Sequence, residues 1–129
     1  MEKTYDNAVK LLTSQGKFYI NLGLERISAI LELLGNPQDN LKCIHVAGTN
    51  GKGSVCAIIA TILDQAGIKV GLYTSPHIFN YTERIQINGC RISEDDFAKY
   101  VFNICELADK NKIHLTEFEI LTAVMFKYF

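Results

Sequence analysis

The sequence has little that would take it to a membrane, to nucleic acid or into an oxidising compartment. No apolar run reaches the ~18 residues of a membrane-crossing helix, and the first residues carry no apolar stretch of the kind that opens a secretory signal. Charge of neither sign prevails. With 13 Lys and Arg against 14 Asp and Glu, the net charge is −1, which argues against a nucleic-acid-binding surface. Cysteine is sparse: Cys43, Cys56, Cys90 and Cys105 stand far apart with no C-x-x-C, so neither a disulfide framework nor a zinc site is expected. Cys43 and Cys56 fall in apolar segments and read as small core residues. The simplest location for such a chain is the cytoplasm, where thiols stay reduced. Internal repeats and low-complexity segments are absent. A chain of 129 residues that is 48% hydrophobic can bury one core.

What the sequence does have is a glycine-rich turn between two apolar segments. Residues 43–47 read as a short strand, and Gly48-Thr49-Asn50-Gly51-Lys52-Gly53-Ser54 follows at once. Residues 55–63 then read as a buried helix. Strand, glycine turn and helix start together suit a polyphosphate. Glycines let backbone N–H groups approach the oxygens, and the helix N-terminus adds unpaired donors and partial positive charge. Lys52 would supply a mobile full charge, and Ser54 a hydroxyl for phosphate or Mg²⁺. The strict G-x-x-x-x-G-K-[ST] pattern is not met, because Val46 replaces its first glycine and Gly53 separates Lys52 from Ser54. The alternative is a glycine-rich connection with no ligand. A lysine between two glycines is a poor choice for mere turning, so nucleotide binding is the reading adopted.

Around this motif the pattern gives an α/β fold. Apolar residues at Tyr5, Ala8, Leu11 and Leu12, and again at Leu24, Ile27, Ile30, Leu31 and Leu34, predict two amphipathic helices, with an apolar-rich loop over 17–23 between them. The second helix stops at Gly35-Asn36-Pro37. Gly67 sits where a helix C-cap glycine belongs, and 69–73 read as a second strand. A βαβ unit with parallel strands is expected, the glycine loop lying at the carboxyl end of its first strand. Asn88-Gly89, flanked by 84–87 and 90–92, signals a hairpin. Ser93 and Asp96 cap a helix over 94–108 whose inward face holds Phe97, Tyr100, Val101, Ile104 and Leu107. Thr116 and Glu119 form a capping-box pair for a last helix. That helix leads to no further strand, whereas a crossover helix normally does, so the sequence reads as part of a longer protein. Residues 1–40 form a helical segment, and 41–129 the first part of an α/β domain.

A second loop, 74–82, leaves the second strand. Ser75 either reaches a phosphate-held metal or only shapes a Ser-Pro turn. His77, Phe79 and Tyr81 alternate with Ile78, Asn80 and Thr82, so these rings either stack on a flat heterocycle or fold back over the core. Glu83 and Arg84 form a solvated pair, unless Arg84 binds a carboxylate. His45 reads as a core histidine, His114 has no evident role, and Glu117 and Glu119 are first-turn residues favoured by the helix dipole, unless one of them faces the nucleotide crevice.

Taken together, residues 44–54, Leu72-Tyr73-Thr74-Ser75-Pro76-His77 and Glu83-Arg84-Ile85 resemble folylpolyglutamate synthase and dihydrofolate synthase of the Mur-ligase superfamily. Leu22-Gly23-Leu24-Glu25-Arg26, residues 34–38 and Thr116-Glu117-Phe118-Glu119 carry the same resemblance. It implies a P-loop-containing parallel-sheet fold like the Mur-ligase central domain, truncated, with an N-terminal helical segment and a β-hairpin. It also implies an ATP-dependent ligase of folate metabolism. The folate carboxylate would be activated as an acyl phosphate and then joined to the amino group of L-glutamate. Gly48, Thr49, Asn50, Gly51, Lys52, Gly53 and Ser54 would hold ATP, with Lys52 catalytic; Ser75 and Ser54 would hold Mg²⁺. Pro76, His77, Ile78, Phe79, Tyr81, Glu83 and Arg84 would line the folate site, the segment 78–83 as a mobile loop. Other metal ligands and the glutamate site would lie outside this sequence, so the piece is expected to be inactive alone and the longer protein monomeric. Another Mur-type ligase acting on a cell-wall precursor, a non-catalytic nucleotide-binding module, and a purely structural α/β piece are the competing readings.

Overall fold

The computed structural model describes residues 1–15 and 22–129, so most of the loop expected over 17–23 lies outside the described residues. The described chain divides into two compact units, Met1–Leu41 with Glu94–Tyr128, and Lys42–Ser93 with Phe129. The chain returns to the first unit at Glu94, because two later helices pack with the N-terminal ones.

In the first unit, periodicity decides the architecture. Helix α1 (Tyr5–Ser14) buries Ala8 and Leu12, and α2 (Glu25–Leu33) buries Ile30 and Leu31. Thr4 starts α1 by accepting from the Asn7 N–H through its side chain. Helix α4 (Glu94–Lys110) turns Phe97, Ala98, Val101, Phe102, Ile104, Cys105 and Ala108 inward. Tyr100 and Leu107, expected on that face, are half-buried, since the buried stripe centres on Val101 and Cys105. Helix α5 (Glu117–Tyr128) buries Ile120, Leu121, Ala123, Val124 and Met125. Helix α4 packs on both α1 and α5, and α2 packs on α5. Tyr5 on α1 meets Phe97 on α4 with ring centroids 5.6 Å apart.

The second unit holds α3 (Lys52–Gln65) and an antiparallel sheet of β1 (Gly71–Tyr73), β2 (Ile85–Ile87) and β3 (Cys90–Arg91), in the order β1-β2-β3. Gly71 faces Ile87 and Tyr73 faces Ile85, while Ile87 faces Cys90 across the turn. That turn is the expected hairpin. Asn88 and Gly89 take φ of +47° and +77°, the left-handed pair a two-residue turn requires. Gly67 likewise follows α3 at φ +78°, with the Ile68 N–H returning to the Leu63 carbonyl.

Four expectations need correction. Residues 43–47 form no strand ladder, so the parallel pairing with 69–73 is not made, and β1 pairs antiparallel instead. A parallel strand is covered on both faces, whereas here Ile44 is 65% exposed and Cys43 and His45 are exposed too, so neither is a core residue. Helix α3 is apolar around its girth but has no buried residue, with Ile58 and Ile62 about as exposed as Ile44. Cys56 on it is half-buried rather than core.

Candidate functional site

The glycine turn differs from every other helix start described. Helices α1, α2, α4 and α5 each carry acidic residues in the first turn, as the helix dipole favours. Helix α3 carries none, and no side chain caps it. Its N-cap, Gly51, sits at φ +78°, a conformation glycine adopts without strain. The Val55 N–H is bonded to the Gly51 carbonyl, the first such bond of the helix, so the N–H groups before it are the unpaired donors of an uncapped first turn. Lys52 folds back so that its Nζ donates to the Gly48 carbonyl. All seven residues 48–54 are exposed. Gly53 is the most telling of them. Its φ is not in the left-handed region, and an added Cβ would meet nothing within 4 Å, so nothing among the described residues demands glycine there. An uncapped helix end, a cation and a bare backbone together can hold an anion with several oxygens.

The second loop is closed on itself. The Thr74 N–H donates to the Arg84 carbonyl at 3.0 Å, bringing the ends of the 74–84 stretch together. Ser75 is exposed, joined to Pro76 by a cis peptide. Tyr81 and Thr82 are buried, in a 3₁₀ turn over Tyr81–Arg84. His77 lies against Tyr81 with centroids 4.2 Å apart, and Arg84 Nε donates to His77 Nδ1 at 2.8 Å. The Arg84 guanidinium also lies 5.4 Å from the Tyr81 ring centroid. Glu83 accepts backbone N–H groups from Ile78, Phe79 and Asn80, which lower its carboxyl to about 2, with desolvation opposing and Arg91 assisting. The aromatic alternation therefore splits. Tyr81 covers the core, and Phe79, 92% exposed, faces solvent. Glu83 and Arg84 are ordered within the loop rather than being a simple solvated pair.

In the first unit, the capping box forms as expected: the Thr116 N–H donates to Glu119 Oε2 at 2.9 Å, and the Glu119 N–H to Thr116 Oγ1 at 3.2 Å. Sequence reasoning missed its partner. Arg26 Nη2 donates to Glu119 Oε1 at 2.7 Å, and Nε to Oε2 at 3.2 Å, joining α2 to α5. The hydrogen bonds Arg26 donates to Glu119 raise the Arg26 pKa. The signal was an arginine in the first turn of an amphipathic helix; its partner 93 residues away was not legible. Among the described residues, no group of three or more His, Cys, Asp or Glu side chains could hold a metal ion. No described helix is long and apolar enough to cross a membrane.

Comparison with known proteins bears out the resemblance. No family model matches the chain. It is 43% identical over 110 residues to the dihydrofolate synthetase of Saccharomyces cerevisiae, covering 85% of this chain and 26% of that protein. It is 39% identical over 133 residues to the dihydrofolate synthase/folylpolyglutamate synthase of Bacillus subtilis, covering 100% of this chain and 31% of that protein. Among solved structures, a folylpolyglutamate synthase complex with AMPPCP and folate superposes with a TM-score of 0.88 at 37% identity, over 98% of this chain and 32% of that one. The bifunctional folylpolyglutamate synthase/dihydrofolate synthase of Yersinia pestis, complexed with AMPPNP and a Mn ion, gives 0.86 at 36%, over 97% and 30%. The chain spans about a third or less of the length of these proteins. Over that span it is similar to them in sequence and shares the Mur-ligase-like fold of the folylpolyglutamate synthases.

Proposed function

We propose, for a chain with the sequence and fold of folylpolyglutamate and dihydrofolate synthases, that it carries the nucleotide loop and part of the folate site of an ATP-dependent glutamate ligase. The observation that carries this is the α3 start. Among the described α-helices it alone lacks a first-turn acid, and its Gly53 has no internal reason to be glycine. The residues fit a triphosphate. Gly48, Thr49, Asn50, Gly51, Gly53 and Ser54 offer backbone donors, and Lys52, exchanging the Gly48 carbonyl for a phosphate oxygen, neutralises the transferring end. Ser54 and Ser75, both exposed hydroxyls, would hold Mg²⁺ together with the phosphates, an oxygen-rich set of the kind Mg²⁺ accepts. Bound there, the ion would supply further charge neutralisation.

In the reaction, the folate carboxylate takes the terminal phosphoryl group of ATP, giving an acyl phosphate and ADP. The glutamate amine then displaces phosphate and forms the amide. Within this chain, Pro76, His77, Ile78, Phe79, Tyr81, Glu83 and Arg84 build the wall beside the folate, Ile78 and Phe79 as contacting side chains and the others as its frame. Further metal ligands and the glutamate site are absent from this set, so the chain alone binds but does not turn over. By function, 1–40 form a helical segment and 41–129 the first part of the ATP-binding domain, a division that the packing of α4 and α5 does not follow. A cytoplasmic, monomeric longer enzyme completes the reading.

The test is an NMR titration of the isotope-labelled chain with MgATP and, separately, folate. Shifts at 48–54 with the nucleotide and at 76–84 with folate support the proposal. Amides of 48–54 that ignore MgATP at millimolar concentration would overturn it.

A further inference from the structure

The 74–84 loop is braced from inside by one carboxylate. Glu83 Oε1 accepts from the Ile78 N–H at 3.0 Å, and Oε2 accepts from the Phe79 and Asn80 N–H groups at 2.8 and 2.6 Å. Asn80 answers with a reciprocal cap: its Oδ1 accepts from the Thr82 N–H at 2.8 Å and the Thr82 hydroxyl at 2.7 Å. On the other side, Arg84 Nε donates to His77 Nδ1. A guanidinium only donates, so that ring nitrogen carries no proton and His77 is held in the tautomer protonated at its other nitrogen.

Three successive backbone amides converging on one point ordinarily make an anion-binding nest. Here the anion is the chain's own carboxylate, so the nest fixes shape instead of capturing a ligand. What the frame displays is apolar. Ile78 is 80% exposed and Phe79 is 92% exposed, at the tip of a loop whose Glu83, Asn80 and Thr82 side chains make their bonds within the loop. A loop tip that served only to turn the chain would be served as well by polar residues. A rigid frame under an exposed ring and a branched aliphatic is instead the composition of a preorganised contact.

We infer that Glu83 is a positioning residue which, by holding the amides of Ile78, Phe79 and Asn80, presents Phe79 and Ile78 as a preformed platform for the aromatic portion of the folate, without touching the substrate itself. The inference rests on the folate-ligase reading above and assigns Glu83 a place behind the contact surface rather than in it. Without the brace, binding would have to order this segment, and affinity would fall. The low carboxyl of Glu83 keeps the brace charged throughout the physiological range.

The experiment compares the chain with its Glu83→Gln and Phe79→Ala variants, using folate as the probe. Amide exchange at 78–80 is read by NMR, folate affinity by calorimetry, and the melting midpoint by circular dichroism. In Glu83→Gln, exchange of the three amides accelerates, folate binding weakens about tenfold, and the melting midpoint stays put, because the loop and not the core has changed. In Phe79→Ala, whose exposed ring is not needed for folding, the amides stay protected while folate binding weakens by a similar factor. Folate affinity within about twofold of the parent chain in Glu83→Gln, with its amides deprotected, would overturn the inference. So would an unchanged affinity in Phe79→Ala, which decides the matter should Glu83→Gln fail to fold. If the unaltered chain shows no folate-dependent shift at 76–84, the folate-ligase reading falls and the platform with it. Folate binding that is indifferent to both substitutions refutes the platform alone.

Discussion

Asn88 ties three segments of the second unit together, and its replacement should be costly in a way that separates side chain from backbone. Its Nδ2 donates to Asp64 Oδ1 at 2.6 Å and to the Ile68 carbonyl at 3.1 Å, and its Oδ1 accepts the Val70 N–H at 2.9 Å. Its backbone meanwhile holds φ +47° in the hairpin turn. Asp64 lies in the last turn of α3, where the helix dipole disfavours a carboxylate, so the amide donor there offsets a local repulsion. Asn88→Ala loses two bonds to backbone worth about 1 kcal/mol each, and one to a carboxylate worth about 1 kcal/mol after solvent screening. Alanine in the left-handed region adds about 1 kcal/mol. The total is about 4 kcal/mol for Ala and about 3 kcal/mol for Gly, which removes the side chain but accepts the backbone. Asn88→Asp should be worse than Gly, since it sets a second carboxylate against Asp64. Urea unfolding followed by circular dichroism measures all three. A loss below about 1 kcal/mol for Ala, or a Gly variant less stable than Ala, would refute the reasoning.

Other outcomes follow from the same contacts. Glu119→Ala removes the reciprocal cap of α5 and leaves Arg26 without this carboxylate, so the thermal midpoint should fall by roughly 10 °C; restoring bulk by pairing Glu119→Met with Arg26→Met should recover much of it. Lys52→Ala should weaken MgATP about 10- to 100-fold in a calorimetric titration, as a charge-assisted phosphate contact is lost against a weak internal one. The carboxyl of Glu83 is lowered to about 2, so its stabilisation is present above the ordinary glutamate value of about 4.3 and is lost as pH falls through about 2. The amide resonances of 78–80 should therefore hold steady from neutrality to about pH 3 and move below it. Burial pushes the Cys105 thiol up to about 12, with Asp109 and Glu106 adding to the rise. A thiol reagent at pH 8 should label exposed Cys43 and Cys90 first, half-buried Cys56 more slowly, and Cys105 only after unfolding.

Much of this molecule was legible without coordinates because its signals are local. Spacing of Ala8, Leu12, Ile30 and Leu31 specifies two helix faces; Asn88-Gly89 specifies a turn; Thr116 and Glu119 specify a cap; and the glycines around Lys52 specify an exposed, uncapped helix start. Each depends on residues within one or two turns of each other, where sterics and hydrogen-bond reach leave few choices. Tertiary structure decided whatever needed a partner far along the chain. It paired β1 with β2 in place of residues 43–47, since strand pairing depends on which edge is offered and not on the strand's own composition. It gave Glu119 to Arg26 and Asp64 to Asn88, which no spacing announces. It also sorted the ring-rich loop, turning Tyr81 inward and Phe79 outward, in a loop whose backbone folds on itself around the Glu83 carboxylate.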